Sequence, residues 1–110
     1  MNDLIEVEVL EIDIGKRPFE DWYRNLDKGV RRQVLARLSR VKAGNFGDYK
    51  RLSSLLWELR FRSGLRIYYT MRGSRLVIVA GGGNKTSQRK DIPHFQDLIE
   101  IYARKSGDPK

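Results

Sequence analysis

The chain has 110 residues, with 22 Lys and Arg against 14 Asp and Glu, a formal charge of +8, 40% apolar residues, one His and no Cys. Without Cys, disulfide frameworks, thiol nucleophiles and Cys-based zinc sites are excluded, and the longest unbroken apolar run, Leu76 to Ala80, is too short for a membrane span or a signal-peptide core. A chain of this size buries roughly two-thirds of its unfolded surface, enough for one core, so a single cytoplasmic domain over residues 1–110 is expected.

Leu4 to Ile12 alternates Ile5, Val7 and Val9 with Glu6 and Glu8, which predicts a strand with one wetter face, bounded by Gly15. Pro18 suits a first helical position, and Phe19, Trp22, Tyr23 and Leu26 follow at the spacing that gathers apolar groups on one helix face. After Asp27-Lys28-Gly29, the residues Val30, Val34, Leu38 and Val41 repeat that stripe, with Arg31, Arg32, Arg37, Arg40 and Lys42 on other faces. The pair reads as a helical hairpin, stopped at Ala43-Gly44-Asn45 because Gly and Asn tolerate the left-handed conformation of a C-cap.

From Lys50 to Ala80 the period changes to 2, which predicts a meander of strands. Trp57, Leu59 and Phe61 alternate with Glu58, Arg60 and Arg62, and Ile67, Tyr69 and Met71 alternate with Arg66, Tyr68, Thr70 and Arg72. A three-residue loop, Ser63 to Leu65, keeps the two faces distinct and pairs Arg60 with Tyr68 and Leu59 with Tyr69. A Gly73-Ser74 hairpin then brings Leu76, Ile78 and Ala80 to the face of Ile67, Tyr69 and Met71. Val77 and Val79 fall on the other face, so a helix or a partner must cover that edge. A third helix is available, with Asp91 as its cap, Pro93 in its first turn and Phe95, Leu98, Ile99 and Tyr102 as its stripe. The fold class is therefore α+β: a small antiparallel sheet with an N-terminal strand, a helical hairpin on one face and a C-terminal helix.

Charge is unevenly spread. Residues 1–15 hold five acids and no base, which leaves 22 bases against 9 acids in the remainder, a field that favours a polyanionic partner. The polar sheet face concentrates it in Arg60, Arg62 and Arg66 beside Tyr68, where guanidinium groups can bind phosphate bidentately and the ring can stack on a base. The competing explanation is a surface network in which these arginines pair with Glu58 and Asp48. Lys50, Arg51 and Lys85 stand at ends of the same meander and extend the cationic groove.

Other constellations are weaker. Gly81-Gly82-Gly83-Asn84-Lys85-Thr86 fails as a phosphate loop because Asn84 stands where the second Gly is needed, and it reads instead as a flexible strand exit for Lys85. Asp48 with Glu58-Leu59-Arg60 echoes a metal-dependent nuclease, but no third acid is near. Glu6 and Glu8 share a strand face that reads as solvated. His94, at the expected helix start, has a surface position as its default and general base as its sharper reading.

Trp57-Glu58-Leu59-Arg60, Gly64-Leu65-Arg66-Ile67-Tyr68-Tyr69, Leu76 to Ala80 and Gly82 to Ile92, with Phe19-x-x-Trp22-x-x-x-Leu26 and Gly44 to Asp48 upstream, resemble the addiction-module killer proteins of the RelE/HigB toxin superfamily over residues 15–104. The resemblance implies an endoribonuclease that cleaves mRNA on the ribosome and is held inactive by a cognate antitoxin. It implies no metal and no cofactor: the ribose 2′-OH attacks the adjacent phosphate, and fixed cations stabilise the charge that develops there. Carried over by position, Arg60, Arg66 and Lys85 are the catalytic residues; Lys50, Arg51 and Arg62 would position the RNA, with Tyr68 on the same face as a further RNA-binding residue. Where some members have a lysine, this chain has Glu58, and near the last helix it offers only Gln88, Asp91 or His94. The alternatives are a protein target, as in gyrase-poisoning relatives, and a non-catalytic nucleic-acid-binding regulator. Arg66→Ala is expected to abolish toxicity and spare the fold.

Overall fold

A computed structural model describes residues 4–83 and 85–105, without the side chains of 85–89 and 105. Asn84 and the tail after 105 lie outside it, as do the first three residues. The elements run β1 (Glu6–Val9), α1 (Pro18–Arg24), α2 (Lys28–Lys42), β2 (Tyr49–Arg51), β3 (Trp57–Arg60), β4 (Arg66–Arg72), β5 (Arg75–Gly82) and α3 (Lys85–Lys105). The architecture is α+β, as the alternating periods predict.

The five strands lie in the order β1-β5-β4-β3-β2. β2 to β5 form the expected antiparallel meander, but β1 pairs with β5 in parallel, so the sheet is mixed. The chain leaves β1, crosses one face through α1 and α2, enters at the far edge and meanders back, which brings β5 beside β1 running the same way. Alternation along a single strand carries no information about the direction of its neighbour, so this feature was not readable from the pattern.

α2 ends as predicted. The Gly44 N–H donates to the Val41 carbonyl and the Asn45 N–H to the Arg40 carbonyl, with Gly44 at φ +93°. These are the two bonds of a Schellman cap. One face of the hairpin packs Phe19, Val34, Leu38 and Val41 onto Leu59, Ile67, Tyr69, Leu76 and Ile78, with Trp22, Tyr23 and Leu26 at the margin.

The β3–β4 loop has three residues but sits one residue earlier than expected. Phe61 N–H bonds the Leu65 carbonyl, the loop is Arg62-Ser63-Gly64, and Gly64 takes φ +100°. Glycine is the residue that fits the left-handed third position of such a loop, where the expected boundaries would have put Leu65. Arg60 therefore faces Arg66, and Leu59 faces Ile67. A shift of two in pairing keeps each side chain on its expected face.

β5 carries a second departure. Tyr69 faces Ile78 but Tyr68 faces Ala80, so Val79 is an extra residue in the ladder. The bulge sends Ala80 to the face opposite to the one expected, where it joins Val77, Val79, Leu10, Leu56 and Tyr68. It also turns Gly81 toward α1, where a Cβ would stand 2.2 Å from the Trp22 ring. Only glycine allows that approach.

α3 supplies the cover that Val77 and Val79 require, through Phe95 and Ile99. It begins at Lys85, not at Asp91, so Pro93 lies inside the helix. The Phe95 and Ile99 packing outweighs the backbone bond that Pro93 removes. Among the described residues no helix is long and apolar enough to cross a membrane.

Candidate nucleic-acid interface

Lys50 on β2, Glu58 on β3 and Tyr68 on β4 stand side by side across the sheet, and the next row on that face pairs Arg60 with Arg66. The strand registers thus bring together four of the expected site residues, Arg60, Arg66, Lys50 and Tyr68, around Glu58. α3 covers the middle of this face, so the expected groove along its whole length is reduced to the end where β3, β4 and the last residues of β5 meet.

Glu58 is the centre of the cluster and only 2% exposed. Arg66 Nε stands 3.6 Å from Glu58 Oε1, and Arg60 Nε stands 4.0 Å from Oε2 and 3.9 Å from Asp48 Oδ2. The pairing network that competed with the RNA reading therefore exists for Arg60 and Arg66. It is not a surface network, because Glu58 is enclosed. Burial pushes the Glu58 carboxyl above its ordinary range, against the opposing pull of Arg66, then Arg60, then Lys50. Two guanidinium groups and a lysine thus face the Glu58 carboxyl, with Asp48 at the margin of the cluster.

Two polar atoms there are buried without a hydrogen-bond partner: Arg66 Nε and the Tyr68 hydroxyl. Buried donors are rarely left unpaired, and each such group calls for a physical reason, of which a catalytic role is one. Burial first and the Glu58 charge second hold the Tyr68 phenol far above its usual range, so it stays protonated. The Tyr68 ring packs 4.8 Å from Phe95 and the residue is 1% exposed. Its faces are taken, so the stacking role expected for Tyr68 does not fit and its hydroxyl is what reaches the cluster.

Arg66 is not the solvent-facing strand arginine expected from alternation, since its side chain is 12% exposed against 37% for Arg60. Arg66→Ala would strand a buried carboxyl beside it, a change that costs roughly 3–5 kcal/mol in buried pairs. Arg66→Ala is thus a destabilising change and not one that spares the fold, whereas Arg66→Lys keeps the charge beside Glu58.

Beside Arg66 in the ladder lies Gly82, and a Cβ there would stand 3.4 Å from the Tyr68 ring. Bare backbone at Gly82 and Gly83 leaves the cluster open on this side. Lys85 opens α3 two residues later, on a helix and not on the flexible exit expected, and its side chain lies outside the described residues, as does that of Gln88.

The other two expected RNA contacts sit elsewhere. Arg51 faces Trp57 on the opposite side of the sheet, with its guanidinium 4.8 Å from the Trp57 ring and its Nε and Nη2 donating to the Ser53 and Ser54 carbonyls. Arg62 belongs to the β3–β4 loop, outside the strand, and lines a cleft against α2. His94 is exposed on α3, and Glu8 pairs with Arg75 at the far edge of the sheet. Asp48 and Glu58 approach one another only through Arg60, and among the described residues no three His, Cys, Asp or Glu side chains gather as a metal ion would need.

Glu58 is the residue that sequence reasoning undervalued. Its signal was an acid alternating into a face otherwise basic, beside Trp57 and Leu59, in a strand flanked on both sides by others.

Residues 21–101 match the model of a family described as phage derived protein Gp49-like. The chain belongs to the Gp49-like family. A protein of Haemophilus influenzae described as uncharacterized is 36% identical to it over 85 residues, spanning 74% of this chain and 86% of that one. The Gp49-like family is associated with the toxins of toxin–antitoxin modules, which implies an antitoxin as partner. The match covers α2, the whole meander and most of α3, and so includes every member of the Glu58 cluster.

Proposed function

We propose that this Gp49-like protein is a cytoplasmic, single-domain toxin of the RelE/HigB kind that cleaves mRNA on the ribosome and is silenced by a cognate antitoxin. The observation that carries the reading is the enclosed Glu58 carboxyl between Arg66 and Arg60, with the buried Tyr68 hydroxyl beside it.

In the proposed chemistry the scissile phosphate sits against Arg66, and Lys85, the first residue of α3, supplies the second cation. The ribose 2′-OH attacks the neighbouring phosphorus, the P–O5′ bond breaks, and the products carry a 2′,3′-cyclic phosphate and a 5′-hydroxyl. Arg66 and Lys85 stabilise the charge on the non-bridging oxygens. Fixed donors aimed at developing charge contribute about 10²–10³ in rate each. Arg60, half in solvent, orients the strand, and Lys50 adds a positioning charge. Glu58 accepts the 2′-OH proton, and the departing 5′ oxygen takes a proton from water to become the 5′-hydroxyl. The raised affinity of Glu58 for protons suits its role, since a base works best when its pKa lies near the operating pH.

Primer extension on messages isolated after induction tests the reading. New 5′ ends inside translated codons are expected. Intact messages accompanied by DNA damage would contradict it and favour a gyrase-type protein target, and induction without growth arrest would favour a non-catalytic regulator.

A further inference from the structure

A second cationic feature lies around the corner from the Glu58 cluster. Between α2 and the β3–β4 loop is a cleft of about 450 Å³ whose walls include Arg37, Arg40, Phe61 and Arg62 and no carboxylate. Its α2 wall belongs to a helix whose Lys28–Lys42 segment carries six basic residues and no acid. Neither Arg40 nor Arg62, both exposed, has an ion-pair partner among the described residues.

Arg37 makes this cleft more than a patch of surface charge. It is 7% exposed, and its guanidinium lies 4.9 Å from the Phe61 ring. Its hydrogen bonds go to backbone carbonyls: Nε and Nη2 to Phe46, Nη2 to Asp48, and Nη1 to Arg60. A positive charge is thus enclosed and held mainly by backbone dipoles, with the Asp48 carboxylate acting on it from outside hydrogen-bond contact. Burial, and after it the neighbouring Arg40 charge, make that positive form harder to hold. An anion in the cleft would offset the repulsion between Arg37 and Arg40.

The Arg37–Arg60 bond also ties the cleft to the candidate site, because Arg60 reaches Glu58 from the opposite face of the same strand end. Arg60 and Arg62 are two residues apart, so their Cα atoms lie within about 7 Å. Positive charge therefore continues from Arg66 through Arg60 to Arg62 and Arg40 around the β3–β4 corner. A polyanionic strand fits such a track. An isolated acidic peptide would have no reason to require its continuity with the cluster.

We propose that the Arg37–Arg40–Arg62 cleft binds the RNA phosphodiester backbone flanking the cleaved position. This rests on the RNA-cutting reading above. Phosphate contacts of this kind set register and affinity and carry no base preference.

The test uses Arg40→Gln with Arg62→Gln, both exposed positions, and Arg24→Gln with Arg75→Gln as a control that removes the same charge elsewhere. Binding is measured to ribosomes programmed with mRNA carrying 2′-O-methyl groups, which blocks cleavage, and to ribosomes without mRNA. The cleft variant is expected to bind programmed ribosomes at least tenfold more weakly than wild type, with the control near wild type. Weakening confined to programmed ribosomes supports the proposal, and equal weakening on both would overturn it in favour of ribosomal RNA phosphates. Wild-type affinity in the cleft variant would overturn the cleft assignment while leaving the cutting site standing. Unchanged ribosome binding with weakened antitoxin binding would overturn it in favour of an acidic protein segment. A wild-type protein that binds neither ribosome would overturn the RNA reading itself.

Discussion

The two faces of the sheet solve different problems with the same alternating pattern. Toward α1 and α2 the strands present Leu59, Ile67, Tyr69, Leu76 and Ile78, all buried, and the helices close over them. Toward α3 the apolar set of Val77, Val79 and Ala80 is covered by Phe95 and Ile99, but the row through Lys50, Glu58 and Tyr68 and the row of Arg60 and Arg66 lie where that cover ends. The first face stabilises by area and shape. The second places a charge in low dielectric, which costs stability unless partnered and is how a carboxyl acquires unusual proton affinity. The difference teaches where to look for function: where a core that is otherwise complete admits an ionised group.

Substitutions that act on one face and not the other would break or sharpen this contrast. On the α1/α2 side, Ile78→Ala opens a cavity and should cost about 2–5 kcal/mol in denaturant unfolding. The cleavage rate per folded molecule should be retained, and a rate lost in proportion to stability would mean the faces are not separable.

Glu58→Gln should act differently, through pH. In the folded protein the Glu58 carboxyl holds its proton to higher pH than its ordinary value of 4.5, so its contribution to stability is fully present below that value. That contribution falls as pH rises through the raised value, by up to about 1.4 kcal/mol per pH unit. Wild type should therefore lose stability relative to Glu58→Gln as pH increases over that interval. The acid limb of the cleavage profile should also disappear in the variant. Parallel stability curves for the two proteins would contradict the placement of Glu58.

Arg51→Ala is expected to give the smallest effect. It removes a cation–π contact with Trp57, worth about 0.5–1 kcal/mol at an exposed site. Ribosome binding should stay at the wild-type level, and a large loss of binding would return Arg51 to the interface.

Much of the fold was legible because side-chain period is a local property. Phe19, Trp22, Tyr23 and Leu26 announce α1, and Gly44 announces the end of α2, without reference to the rest of the molecule. What was not legible depends on partners. The parallel pairing of β1 reflects the path of the whole chain, and the Val79 bulge reflects how Trp22 meets Gly81. The early start of α3 was masked by Gly81 to Gly83, which read as a flexible exit. For the candidate site, alternation put Glu58, Arg60, Arg66 and Tyr68 on one face, and the register brought them together. Depth was the missing quantity: period 2 separates two faces but does not say which part of a face is covered, so Glu58 and Arg66 read as solvated. Arg62 was misplaced by the one-residue difference in loop boundary, and Arg51 by taking a position in the meander for a position on its polar face.

The central claim is that the arginine held by Glu58, and not basic charge in general, does the cutting. Cleavage of mRNA on programmed ribosomes by equal amounts of folded wild type, Arg66→Lys and Arg51→Lys tests it most directly. Arg66→Lys retains the charge but loses the guanidinium fork, so a loss on the order of 10²-fold or more is expected, with Arg51→Lys close to wild type. Equal rates for all three proteins would contradict the account.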